Sequence, residues 1–140
     1  MAYTEYVTYP LNASKTETDS RIDKLYVDKI KKHLETLRGN KTLETQKPDC
    51  RCAVAEFLHA NPQVTVGELR ILYTEDLVGE VLHKFPFHVK IHYTDENHRY
   101  KIYDPWNNGD VLRSYPLTIK KQMDTGRVKE YFVPLKRIRG

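Results

Sequence analysis

The chain has few of the residues that build disulfide-stapled proteins. It contains only 2 cysteines in 140 residues, Cys50 and Cys52. Side chains at positions i and i+2 diverge in a regular helix or strand, so these two thiols cannot readily form a relaxed disulfide with each other. A disulfide framework is therefore excluded as the source of stability, and we expect two reduced thiols.

Long hydrophobic runs are also missing. A membrane-spanning helix needs about 18 or more apolar residues in succession, and no such run occurs. Residues 1–19 are polar and do not resemble a signal peptide. We expect no membrane partner and a cytoplasmic protein, or one that is secreted or delivered into a target cell without a classical signal peptide.

Length and composition predict one domain. With 140 residues and 39% hydrophobic content, the chain can bury one modest core. We expect residues 1–140 to form it, with residues 1–19 as a flexible or peripheral N-terminal segment. The net charge of +4 comes from scattered Lys and Arg residues without a zinc-finger or RNP pattern, which argues against specific nucleic-acid binding.

A cysteine stands where a helix is expected to begin. Apolar residues follow Cys50 at the third, fourth, seventh and eighth positions: Ala53, Val54, Phe57 and Leu58. This spacing predicts a helix with one buried face. Cys50 would then lie at the positive end of the helix, which favours the thiolate form.

A histidine and an aspartate occur on a predicted hairpin. Apolar and polar residues alternate over 87–93, which predicts a strand. Residues 94–98 are a polar turn, and residues 99–106 form the second strand of the hairpin. Two antiparallel strands of this length could place His88 and Asp104 side by side. A carboxylate beside an imidazole fixes its tautomer and stabilises its cationic form, so the pair suits a general base acting on a thiol.

Each of these residues has an ordinary structural role. A helix Cys is commonly a buried apolar residue, a strand His a satisfied polar residue, and Asp-Pro a turn. Their order and local settings together favour catalysis. The alternative is a non-catalytic basic binding module in which the three residues coincide by chance.

The order of these motifs resembles the papain-like superfamily in its broad sense. Asp49-Cys50 followed by the apolar positions is similar to the nucleophile helix of NlpC/P60 peptidases. His88-Val89 and Tyr103-Asp104-Pro105 resemble transglutaminase-like enzymes and toxin or effector deamidases. The chain departs from NlpC/P60 at Cys52, where that family usually has Gly, and it lacks the usual Gly after His-Val.

The resemblance implies an α+β fold, a papain-like core with N-terminal helices packed on an antiparallel sheet. It also implies a cofactor-free thiol hydrolase in which Cys50 forms an acyl-enzyme, His88 transfers the proton and Asp104 orients His88. Among such enzymes it favours a glutamine deamidase of toxin or effector type acting on a protein substrate, such as a host or competitor protein. A protease or a transglutaminase would use the same triad.

The choice between the two thiols stays open. Cys50 has the continuous apolar face, whereas Cys52 would place Glu56 at i+4, on the face expected to pack on the sheet. Gln46, a candidate oxyanion donor, lies six residues before Cys52, which is the spacing common in papain-like hydrolases. We favour Cys50 as the nucleophile and keep Cys52 as the alternative.

Two further residues are candidates for the substrate pocket, Trp106 and His92. A zinc site is disfavoured, because His88 and His92 on one strand would lie about 13 Å apart at ~3.3 Å per residue.

The remaining pattern predicts an amphipathic helix that starts at Asp19-Ser20 and stops at Gly39. It also predicts a short strand over 69–73, a helix near 76–84, a late strand over 130–135 and a turn at 107–110.

Overall fold

The computed structural model describes residues 2–6, 17–43, 49–107 and 128–139. Its helices are α1 (Glu17–Ile22), α2 (Asp28–Arg38) and α3 (Cys50–Ala60), with a π-helical turn at Asp23–Val27 and a 3-10 turn at Pro105–Asn107. Its strands are β1 (Ala2–Tyr6), β2 (Val66–Val78), β3 (Val81–Thr94), β4 (Tyr100–Tyr103) and β5 (Val128–Arg139).

The described strands form one antiparallel sheet in the order β1-β5-β2-β3-β4. The hairpin of β2 and β3 occupies its centre, and the shorter β4 pairs only with the last part of β3, from Ile91 to Thr94. The preceding part of β3 therefore has no β4 neighbour. The candidate site lies beside this part of the strand.

The core lies between the helices and one face of the sheet. Leu69 and Ile71 of β2 alternate with polar residues and pack with Val89 and Ile91 of β3. The apolar sides of the helices cover them, through Ile22, Tyr26, Val27, Ile30, Leu34, Val54, Ala55 and Leu58. The chain is thus an α+β fold with helices on an antiparallel sheet, as the sequence predicted at this coarse level.

The N-terminal helical region ends at Gly39, as predicted, but it is not one regular α-helix. A π-helical turn at Asp23–Val27 separates α1 from α2. Within this turn the Asp23 carboxylate accepts a hydrogen bond from the Tyr131 hydroxyl of β5 at 2.9 Å. Farther upstream, Ala2–Tyr6 pairs with β5 as an edge strand.

The helix predicted near residues 76–84 is wrong. This stretch forms the tip of the β2–β3 hairpin, where Val78 pairs with Val81 across a two-residue loop. Gly79 opens the loop with φ of +68°, a conformation that L side chains rarely adopt. Glycine in the first position of a two-residue loop between β-branched residues is the signal that identifies the turn.

The other predicted elements are present, with different lengths. The strand predicted over 69–73 extends to Val66–Val78, and the late strand extends to Val128–Arg139. The hairpin expected around the turn at 94–98 forms between β3 and β4. Of the turn predicted at 107–110, residues 108–110 lie outside the described residues. No helix of the described chain has the length and apolarity needed to cross a bilayer.

Candidate functional site

A buried histidine and a buried aspartate meet beside the end of β4. The His88 Nε2 and Asp104 Oδ1 atoms lie 2.6 Å apart. The side chains are 0% and 6% exposed, so solvent does not screen their interaction. The hairpin produces this contact because Asp104 follows directly after β4, while His88 lies on β3 just before the segment that β4 pairs with.

The indole of Trp106 covers the imidazole. The two rings are stacked, with centroids 3.6 Å apart and planes inclined by 16°. The backbone N–H of Trp106 also donates a hydrogen bond to Asp104 Oδ1 at 2.9 Å, because the 3-10 turn brings this amide back over the carboxylate. The Trp106 side chain thus packs on His88 and does not belong to the helix-facing core.

This geometry determines the tautomer of a neutral His88. A carboxylate oxygen can only accept, so Nε2 carries the proton that it donates to Asp104. The lone pair then lies on Nδ1, which becomes the basic nitrogen of the ring. His88 is therefore arranged to take a proton through Nδ1 while Asp104 stabilises the resulting cation.

Cys50 begins α3, as the sequence predicted, and Asp49 caps this helix. The Asp49 carboxylate accepts hydrogen bonds from the backbone N–H groups of Arg51 and Cys52 at 2.9 and 3.0 Å. It also pairs with the Arg51 guanidinium at 2.6 Å. Burial acts to raise the pKa of Asp49, but these hydrogen bonds and the Arg51 charge hold it below its usual value.

The expectation of a thiolate at Cys50 is wrong for this conformation. Burial first, and then the charge of Asp49, raise the pKa of the Cys50 thiol to about 11. The backbone N–H groups of Val89 and Cys50 and the charge of Arg51 oppose the rise without cancelling it. The thiol is protonated near neutral pH because burial and the capping carboxylate outweigh the helix end.

The Cys50 thiol and the His88 imidazole have different positions relative to β3. The sulfur of Cys50 interacts with the backbone N–H of Val89, the residue next to His88. Val89 belongs to the helix-facing core, and alternation along β3 directs His88 to the opposite face, where its cross-strand neighbour is Leu72. The structure thus brings the Cys50 thiol to the Val89 backbone and brings His88 to Asp104.

The alternative nucleophile has a different neighbour. Cys52 is buried, and its sulfur lies 3.4 Å from Nε2 of His33 on α2. Glu56, four residues after Cys52, is exposed, whereas Ala55 packs in the core. His33 shares the buried side of α2 with Ile30 and Leu34, and only packing of α2 against α3 brings it to Cys52.

His92 lies on the same face of β3 as His88. Its Nδ1 atom hydrogen-bonds the Tyr100 hydroxyl of β4, and among the described residues its buried Nε2 has no hydrogen-bond partner. Burial lowers the pKa of His92 to about 4, and the charges of Arg70 and Lys90 act in the same direction. His92 is therefore neutral at physiological pH.

The proposed oxyanion residue, Gln46, lies outside the described residues. Within the described part of the chain, no group of three or more His, Cys, Asp and Glu side chains is arranged to hold a metal ion. The residues that sequence reasoning missed are His33 and Tyr100. The backbone N–H of Val89 carries no signal in the sequence, because any residue would supply it.

Comparisons of the chain with protein-family models, with curated proteins and with solved structures find no match.

Proposed function

We propose that the chain is a cysteine-dependent amide hydrolase with a papain-like core, in which Cys50, His88 and Asp104 act as a triad. The observation that carries the proposal is the buried 2.6 Å hydrogen bond between His88 and Asp104, one residue along β3 from the Val89 N–H that the Cys50 thiol contacts. A base oriented by a third group beside a nucleophile is the arrangement used in acyl transfer.

The protonated state of the thiol defines the first step. With a pKa of about 11, Cys50 keeps its proton until a carbonyl group approaches. The proton then moves from Sγ to Nδ1 of His88 as the bond between Sγ and the carbonyl carbon forms. Asp104 stabilises the imidazolium, and the backbone N–H of Cys50 is a candidate donor to the oxyanion.

The second half of the reaction returns the enzyme to its starting state. His88 gives its proton to the departing nitrogen as the bond between carbon and nitrogen breaks, which leaves a thioester on Cys50. Water then attacks the thioester, with His88 again taking and returning the proton, and a carboxylic acid is released. For a glutamine side chain the products are ammonia and glutamate.

We favour a glutamine side chain of a partner protein as the substrate, in an enzyme of toxin or effector deamidase type. The support is the order Cys, His, Asp in a compact chain and the resemblance of the His-Val and Tyr-Asp-Pro motifs to such deamidases. A main-chain amide would make the same triad a protease, and a lysine acceptor in place of water would make it a transglutaminase.

Intact-mass spectrometry of candidate substrate proteins tests the proposal. Wild-type protein should add roughly 1 Da for each modified glutamine, whereas fragments would indicate a protease and cross-linked species a transglutaminase. Cys50→Ala should abolish the change, and Cys52→Ala, the matched control two residues away, should retain it. Full activity in Cys50→Ala contradicts the proposal, and loss in Cys52→Ala alone transfers the nucleophile role to Cys52.

A second candidate function, a non-catalytic binding module, is favoured by two observations. The Cys50 thiol is held in its unreactive form by burial, and His88 projects from the face of β3 opposite to Val89. In that case the cluster of His88, Asp104 and Trp106 only stabilises the sheet. Under this function, wild type and Cys50→Ala bind the same partners equally, and neither alters their mass.

A further inference from the structure

A second polar site is lined by residues other than His88 and Asp104. An open cleft of about 640 Å³ runs along α2 and the segment that follows it. Its volume is within the range of ligand pockets, roughly 300–1,000 Å³. The described residues that line it are Lys29, Lys32, His33, Thr36, Asn40, Lys41, Thr42 and Leu43.

The lining is strongly basic. Its described residues contribute three lysines, Lys29, Lys32 and Lys41, and no carboxylate. Within the described part of the chain, none of the three forms an ion pair. Like charges around one concave surface raise the local potential and attract an anion.

Capping of the helix does not account for the lysines. Backbone N–H groups already satisfy three of the last four carbonyls of α2: Gly39 donates to Glu35 and Thr36, Asn40 to Leu37, and Lys41 to Thr36. In this turn at the C-terminus of α2, Asn40 adopts the left-handed conformation, with a φ of +57°. The lysine ammonium groups are therefore not required as hydrogen-bond donors to the helix end.

The pKa of His33 depends on the positive charges that line the cleft. Burial lowers the pKa of His33, and Lys29 lowers it further, as do Arg51 and Lys32, while Asp49 opposes them. On its other side His33 contacts the Cys52 sulfur. An anion bound among the lysines would offset their effect and raise the pKa of His33.

We propose that this cleft binds a phosphorylated small molecule that carries hydroxyl groups. The lysines suit the phosphate dianion, and Asn40 and Thr42 offer amide and hydroxyl groups to the rest of the ligand. The Thr36 hydroxyl donates to the Lys32 carbonyl, so it offers the ligand an acceptor. Among the described lining residues the only ring is the His33 imidazole, so the cleft lacks the aromatic stacking surface that a nucleobase would use.

Calorimetric and NMR titrations with inorganic phosphate, glucose 6-phosphate and glucose test the proposal on the full chain. Glucose 6-phosphate should bind more tightly than inorganic phosphate, and glucose should not bind. Lys32→Gln should weaken binding of both phosphate compounds about tenfold, because it removes one charged contact. Lys24→Gln removes the same charge from an exposed position in the π-helical turn outside the cleft and should leave binding unchanged.

The His33 ring resonances provide an independent readout. Glucose 6-phosphate should raise the pKa of His33 measured by NMR in wild type and raise it less in Lys32→Gln. Equal weakening by Lys32→Gln and Lys24→Gln would show nonspecific charge attraction and overturn the proposal. Binding of a single-stranded oligonucleotide without binding of either phosphate compound would also overturn it, in favour of a nucleic-acid surface.

Discussion

Asp104 provides the sharpest test of how the buried site is held together, because a single oxygen serves two donors. Its Oδ1 accepts from His88 Nε2 at 2.6 Å and from the Trp106 backbone N–H at 2.9 Å. Asp104→Ala leaves both donors without this acceptor. At about 1–3 kcal/mol for each buried donor, the free energy of unfolding should fall by about 2–6 kcal/mol.

Asp104→Asn separates the charge from the hydrogen bonds. The amide oxygen can occupy the Oδ1 position and accept from both donors, so the fold and the tautomer of His88 should persist. Replacing charge-assisted hydrogen bonds by neutral ones should cost only about 1–2 kcal/mol. Activity should still fall by about 10³-fold or more, because a neutral amide does not stabilise the imidazolium.

Urea unfolding followed by the fluorescence of Trp106, the only tryptophan of the chain, measures both variants at the site itself. Asp95→Ala is a suitable control, since that carboxylate also accepts backbone hydrogen bonds but lies in an exposed turn. An Asp104→Ala variant within about 0.5 kcal/mol of wild type would refute the reasoning. Equal losses in the Ala and Asn variants would show that the charge, not the hydrogen-bond acceptor, holds the cluster.

Three further predictions concern the thiol, the pH dependence and the sheet. Native Cys50 should react slowly with iodoacetamide at neutral pH, and its rate should rise up to about pH 11, as followed by peptide mapping in Cys52→Ala; a plateau below pH 8 would contradict the burial argument. His92 has a folded pKa of about 4 against an ordinary 6.5, so its protonation favours the unfolded chain. Its contribution to stability should be complete above about pH 6.5 and decline as the pH falls toward 4, and urea titrations across this range should show a weaker decline in His92→Gln. Gly67→Ala should lower the free energy of unfolding by about 1–3 kcal/mol, because the added Cβ would lie 2.7 Å from the His92 carbonyl oxygen; an unchanged denaturation midpoint would show that the strands separate freely.

Local signals in the sequence predicted the elements that carry the candidate triad. The start of α3 at Cys50 follows from the apolar spacing behind it. The β3–β4 hairpin follows from alternation around a polar turn, and it brought His88 next to Asp104. These features depend on neighbours in the chain, so a single sequence contains them.

The incorrect prediction of a helix near residues 76–84, at the β2–β3 tip, has a local cause as well. Leu77, Val78, Val81 and Leu82 are apolar in a pattern that suits a helix, yet they are exposed at the tip of the β2–β3 hairpin, past the described pairing of β2 with β5. Short apolar runs do not distinguish strand from helix by periodicity alone. Pairing of the two strands over 12 positions, from Gly67–Tyr93 to Val78–Val81, decides the outcome.

The sequence by itself determined the α+β class, the helix that begins at Cys50 and the hairpin that joins His88 to Asp104, because short-range spacing encodes each of them. Only the tertiary structure decided the ionisation of the Cys50 thiol, since burial and the Asp49 cap outweigh the positive helix end. Packing of α2 against α3 likewise decided that Cys52 meets His33 beside a basic cleft. Burial and contacts between distant elements depend on the whole fold, so a local pattern of residues does not predict them.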